Sequence, residues 1–226
     1  MKPILTPVTA AVRANLRPGV VLWLALLAFV LAWLFSAGFR GALQWVADAK
    51  QGAEYRFAFG VYVLFAAVLP ELLQIVFFQQ GRPRWQNGLN CGFGVWFWGI
   101  QGVATQGFYD LLALCFGTGA DPLTVTVKTA VNMGLYCPAG TAAALIVFKW
   151  REHGYALSAW RPLTTATFWL TQYLPLQVSG WMLWIPVSFV VFFLPLALQL
   201  PVTALIFCFW VLIFTFVGRR DEPGKP

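Results

Sequence analysis

Six side chains that water normally keeps stand inside apolar sequence: Glu71, Gln101, Gln106, Asp110, Lys128 and Asn132. An ionisable group in a lipid-embedded helix costs at least about 2.5–3.5 kcal/mol, so each must face protein or water and find a partner there. Two chemistries suit the set. The residues can line a path for small solutes or ions, or they can bind helices together. Glu71 lies about 10 Å from the end of its apolar run at Phe78, and Asp110 about 9 Å from the end of its run at Phe116, at 1.5 Å per residue. Successive spans put those ends on opposite membrane faces, so the two acids do not make an acid/base pair. Asp110 can instead reach Lys128 and Asn132, because only a short link at 117–126 separates their runs. Glu71 follows Pro70, which leaves a carbonyl one turn earlier without its donor. A Glu71 bonded to that backbone and a Glu71 lining a pathway both stay open.

Other chemistries lack their residues. His153 is the single histidine and sits in a charged stretch, away from any serine within an apolar run, so a Ser-His-Asp site has no support. There is no HExxH, no glycine-rich phosphate loop and no clustered His and carboxylate set. Cys91, Cys115, Cys137 and Cys208 are scattered without CxxC spacing, which argues for free thiols. The expectation is a protein that is not an enzyme and needs no metal or cofactor.

The elements that hold these residues must be membrane spans. Of the 226 residues 60% are hydrophobic and only 10% charged, at a mean hydropathy of +0.72. A soluble domain carries about 45–50% apolar and about 25% charged residues, and could not hide this much apolar surface. The formal charge of +7 comes from basic residues flanking apolar runs, where they meet lipid headgroups; nucleic acid is not an expected partner. With ~20 residues per span, the runs predict one integral all-α domain over 1–226, a bundle of about six transmembrane helices. These fall at about 19–39, 57–78, 91–116, 127–148, 178–195 and 200–217, with a short interfacial helix at about 164–176 and a polar connection at 40–56. Pro195 and Pro201 bracket a hairpin between the last two spans; one long kinked helix over 178–217 is the rival. Six spans place eleven basic residues on the side of the termini and four opposite, which the positive-inside rule favours. Both termini are then cytoplasmic, or on the equivalent side of an organelle membrane. The glycines Gly94, Gly99, Gly102 and Gly107 suit close helix packing.

Several stretches fall on one pattern. Gly102-x-x-x-Gln106-x-Phe108-Tyr109-x-x-Leu112 resembles the G-P-x-x-H-x-W-Y-x-x-L signature of the peroxisomal and mitochondrial Mpv-type membrane protein family. Lys128-x-x-x-Asn132 followed by Pro138 is similar to its K-x-x-x-D-Q-x-x-x-x-P stretch. Trp181-x-x-Trp184-x-Pro186, then Phe192-Phe193-Leu194-Pro195 and Trp210, resembles its W-x-L-W-P…N-F-x-x-V-P segment. Glu71 stands near the place of the acid in its first-helix motif. The sequence departs from the pattern at Gln106 for His, Val103 for Pro, Asn132 for Asp and Gln199 for Arg. The resemblance covers roughly 57–217 and implies a small channel or membrane-homeostasis protein, in a peroxisomal, mitochondrial or bacterial inner membrane. A homo-oligomer fits such a channel. The alternative is a non-conducting structural or assembly protein whose polar residues only join helices.

Overall fold

The computed structural model describes residues 16, 20, 21 and 23–217, and every regular element among them is helical. We number the long helices α1 (Trp23–Phe35), α2 (Ala37–Lys50), α3 (Glu54–Phe78), α4 (Trp85–Phe116), α5 (Pro122–Glu152), α6 (Ala166–Phe193) and α7 (Leu196–Val217). A 3₁₀ segment, Leu157–Thr164, joins α5 to α6. Three helices, α3, α5 and α6, are long and apolar enough to cross a membrane, and α1 with α2 would add a fourth if the bent pair is one span. At 32 residues, or about 48 Å, α4 has the length. Six glycines with several Asn and Gln residues dilute its hydropathy.

The first corner is built from polar groups. Helix α1 meets α2 at an angle of 100°. Ser36 Oγ accepts the Phe39 N–H at 3.2 Å, and the Arg40 guanidinium donates to the Trp33 and Leu34 carbonyls at 2.8 and 2.9 Å. Each end of the broken helix thus has its orphaned backbone groups satisfied. Phe29 and Phe39 pack edge to face across the corner, 5.2 Å apart. The stretch expected to be a polar connection at 40–56 is therefore mostly helix, because a side-chain cap and a guanidinium can restart one where a turn was expected.

Two further boundaries correct the sequence reading. The expected interfacial helix at 164–176 and span at 178–195 are one helix, α6, with Pro175 and Pro186 inside it. The expected hairpin at 194–201 shrinks to a break at Leu194-Pro195, and Pro201 lies inside α7. The long run is thus two helices with a tight break, not one kinked helix. The first expected span is described only in part, and residues 1–15 and 218–226, which carry the expectation about the termini, lie outside the described residues.

Three of the long helices carry the same local device. In α3, α5 and α6 a π turn (Val63–Val68, Asn132–Tyr136 and Trp169–Tyr173) runs directly into an X-Pro pair. Leu69 N–H bonds back to Leu64 O, Cys137 N–H to Asn132 O, and Leu174 N–H to Trp169 O, each five residues back. A proline ring clashes with the carbonyl four residues earlier in an α-helix. The wider π turn carries that carbonyl aside, so Pro70, Pro138 and Pro175 are accommodated without ending their helices.

Between α4 and α5, Gly117 takes a φ of 78°, a left-handed conformation that suits glycine, and Asp121 starts α5. Asp121 Oδ1 accepts the Thr124 N–H at 2.9 Å. That bond holds the exposed carboxyl below its ordinary pKa. A depressed carboxylate stabilises the fold above its unfolded value, near 4, and loses that contribution as pH falls through the folded value. Asp121→Ala is therefore expected to lower the melting temperature at pH 7, with the gap to the native chain narrowing as pH falls below 4; thermal unfolding across that range measures it.

Candidate functional site: a central cavity

The small residues of α4 set the geometry. Gly94, Gly99 and Gly102 face α3 so closely that a Cβ at Gly102 would stand 2.5 Å from Ala58 O. With α3 held this near, α4 turns the adjoining face to the bundle interior, where five helices line a half-open cavity of about 190 Å³. On α4 the lining residues Gln101, Thr105 and Tyr109 fall four apart, one helical face. Asn132, Met133, Tyr136 and Cys137 come from the π turn of α5 and its exit. Tyr62 of α3, Trp184 of α6, and Thr203 and Phe207 of α7 complete the wall. None of the lining side chains carries a formal charge.

Its polar groups form two closed chains. Thr105 Oγ1 donates to Gln101 O at 2.8 Å, so the 2.7 Å contact to Tyr136 is a bond donated by the tyrosine hydroxyl. Gln101 Nε2 also donates to Tyr136 Oη at 3.2 Å. Across the cavity, Thr203 Oγ1 donates to Gln199 O at 2.7 Å, leaving Tyr109 to donate to Thr203 at 3.0 Å. Asn132 is only 5% exposed. Its Nδ2 donates to Ser188 Oγ at 3.0 Å, and its Oδ1 has no partner.

The six residues singled out from sequence do not share one site. Gln101 and Asn132 line the cavity; the other four do not. Asp110, expected to pair with Lys128, is instead held by Tyr55 Oη at 3.2 Å and Gln106 Nε2 at 2.6 Å. The lysine whose charge reaches it is Lys50, buried at the end of α2. The helical course of 37–50 brings Lys50 there, and reading that stretch as a polar connection hid it. Lys128 is 1% exposed, and the opposite charge it feels is Asp121. Asn132 turns to α6 rather than to Asp110. Gln106 is buried beside Asp110 with its Oε1 unpartnered.

Glu71 is bonded neither to the backbone freed by Pro70 nor into the cavity. It accepts from Asn87 Nδ2 at 2.7 Å, and Asn87 Oδ1 in turn accepts the Arg84 N–H at 2.8 Å, tying α3 to the start of α4. Glu71→Gln keeps an acceptor for Asn87 and is expected to leave the melting temperature nearly unchanged. Asn87→Leu strands both partners and is expected to cost about 1–3 kcal/mol; chemical unfolding of the two variants separates them.

The motif positions divide between packing and lining. Tyr109 and Trp184 line the cavity, and Phe108 stacks on Tyr136 with centroids 4.6 Å apart. Trp181 Nε1 donates to Met133 O at 2.8 Å, inside the π turn of α5. The Pro138 carbonyl accepts from Tyr173 Oη at 3.2 Å, and Pro195 marks the break before α7. Trp210 has its side chain outside the described residues. Tyr62, Thr105, Tyr136 and Thr203 were not among the expected site residues. The four-residue spacing of Gln101, Thr105 and Tyr109 was the available signal. Comparison with known protein families, characterised proteins and solved structures finds no match.

Proposed function

We propose that the protein is a small membrane-permeability protein whose solute site is the central cavity. One observation carries the reading: the bundle leaves a cavity whose mostly apolar wall carries uncharged polar groups, Gln101, Thr105, Asn132 and Thr203 among them, where packing alone would favour a filled apolar core. Asp110 lies about 14 Å of rise from Gln101 on α4, on the far side of the helix. There it forms a separate polar group with Lys50 and Tyr55. In this reading α1, α3, α4, α5, α6 and α7 make six crossings and α2 lies along the interface, its Trp45 exposed. Both termini then share the cytoplasmic or equivalent face. The Mpv-type resemblance supports the same class, since its motifs contribute Tyr109, Asn132 and Trp184 to the lining. A non-conducting assembly protein is the second reading, favoured by the interhelical bonds of Glu71 and Asp110.

The test is stopped-flow swelling of proteoliposomes with small uncharged solutes such as glycerol. The native chain is expected to speed swelling several-fold over empty vesicles. Gly180 lines the cavity, and a Cβ there has no atom within 4 Å, so Gly180→Leu fills the space without a backbone clash. That variant is expected to return the rate to the empty-vesicle level. Swelling no faster with protein than without it overturns the reading in favour of the assembly protein.

A further inference from the structure

We infer that the end of the bundle where α4 starts and α5 finishes is a docking surface for anionic phospholipid, with its arginines and lysine taking the headgroup phosphates. The inference concerns the lipid around the protein and holds whether or not the cavity passes a solute. Contacts gather the pieces of that end. Arg151, in the last turn of α5, donates to Asn90 Oδ1 of α4 at 2.5 Å. Its neighbour Trp150 packs on Trp160 of the 3₁₀ segment, with centroids 6.2 Å apart. The turn after α3 brings Arg82 and Arg84 to the start of α4.

Charge is unbalanced there. Arg82, Arg84, Lys149, Arg151 and Arg161 stand against Glu152, since Glu71 is taken up by Asn87. Among the described residues none of the five cations makes an ion pair. The other end differs. At the start of α3, the end of α4 and the start of α5, Arg56 and Lys128 are matched by Glu54, Asp110 and Asp121. Only one end of the bundle therefore attracts anions.

The surroundings of the cations select a lipid over a soluble anion. Trp85 directly follows Arg84 and is 82% exposed; Trp160 directly precedes Arg161 and is 44% exposed. A partner in water would leave these indoles wet, whereas the headgroup layer takes an indole and a cation side by side. Two of the cations are also held in place. The Arg151 guanidinium lies over the Phe93 ring, 4.3 Å from its centroid, and the Lys149 ammonium 5.8 Å from the centroid of Phe168. Side chains already fixed lose less rotamer freedom when a phosphate arrives. Asn90 takes one of the five N–H donors of Arg151, and the planar fork of a guanidinium matches a pair of phosphate oxygens.

The experiment places the full chain in phosphatidylcholine vesicles and compares the immobilised fractions of spin-labelled phosphatidylglycerol and spin-labelled phosphatidylcholine by electron paramagnetic resonance. Phosphatidylglycerol is expected to associate at least threefold more strongly. The ratio should fall towards one in about 1 M NaCl, where charges are screened beyond about 3 Å. Arg82 and Arg161 are exposed, and Arg82→Gln with Arg161→Gln is expected to lower the ratio at least twofold. Arg56→Gln, also exposed but at the other end, is expected to leave it unchanged. Should the double variant fail to fold, Arg161→Gln alone decides. A ratio of one for the native chain, or an equal fall in Arg56→Gln, overturns the inference. A preference abolished by inorganic phosphate in place of chloride, at equal ionic strength, overturns the lipid as occupant.

Discussion

Gly102→Leu is expected to eliminate nearly all folded protein, whereas Gly107→Ala should leave yield and melting temperature close to native. The difference lies in what each new side chain meets. At Gly102 a Cβ would stand 2.5 Å from Ala58 O and 2.8 Å from Tyr62 Cβ, and Ala58 and Tyr62 are both buried. A carbonyl oxygen in a helix cannot swing aside, so α3 and α4 must separate. Gly94 is nearly as tight, 2.6 Å from Ala67 Cβ, so the separation would break a contact running along both helices. At Gly107 the nearest atom is Tyr55 Cε1 at 3.8 Å, ordinary contact. Overpacking usually costs about 1–3 kcal/mol and occasionally more; a backbone obstacle puts Gly102 at or above the top of that range. Separation also opens the wall that Tyr62 gives the cavity. Size-exclusion profiles and thermal unfolding in detergent check both variants, and a well-folded Gly102→Leu would refute the account of how α4 is placed.

That packing shows what the sequence could and could not disclose. The glycine spacing on α4 was legible, since small residues are what close helix approach in a membrane requires, and all four glycines named from sequence meet α3, three of them too closely for a Cβ. The all-helical architecture was legible from composition. What escaped was anything decided by a single turn of backbone. Ser36 and Arg40 bend the chain by 100° and so carry Lys50 toward Asp110, a partner no spacing rule finds across 60 residues. Prolines at 70, 138 and 175 are helix breakers by residue type, and the expected interfacial helix at 164–176 ends beside the last of them. Each is carried through by a π turn, and no residue type in 63–68, 132–136 or 169–173 announces one. Gln101 and Asn132 line one cavity, but Glu71 and Asp110 found partners outside it. An intramembrane acid signals the need for a neighbour, not which neighbour.

The second large effect is expected at Trp181. Its indole N–H satisfies the Met133 carbonyl, within a π turn whose backbone bonding is wider than an α-helix. Trp181→Phe removes that donor while retaining an aromatic ring, and should cost about 1–3 kcal/mol for the stranded carbonyl. Trp181→Ala also leaves a void between α5 and α6, and truncations of this size cost about 3–5 kcal/mol. The order native, Trp181→Phe, Trp181→Ala in unfolding midpoint is the expected outcome. Because Met133 and Asn132 line the cavity, any ligand stabilisation should weaken in the same order. Trp184→Phe serves as the contrast, since Trp184 stacks on Phe207 and bonds no backbone group. Equal midpoints for Trp181→Phe and Trp184→Phe would remove the carbonyl bond from the account.

The π turns give residue count a meaning that residue identity does not have. Each carries one residue more than the α-helical turn it replaces, and one residue is about 100° of rotation. The wide turn takes up that extra residue, so the helix on either side keeps its facing. Wound as an ordinary α-helix with no residue removed, α5 would turn Thr141 and Ala144 by about that angle relative to Lys128 and Asn132. The cavity is thus encoded partly as an insertion, and the same sequence without the wide turn would have the composition of a binding site with its surface facing elsewhere.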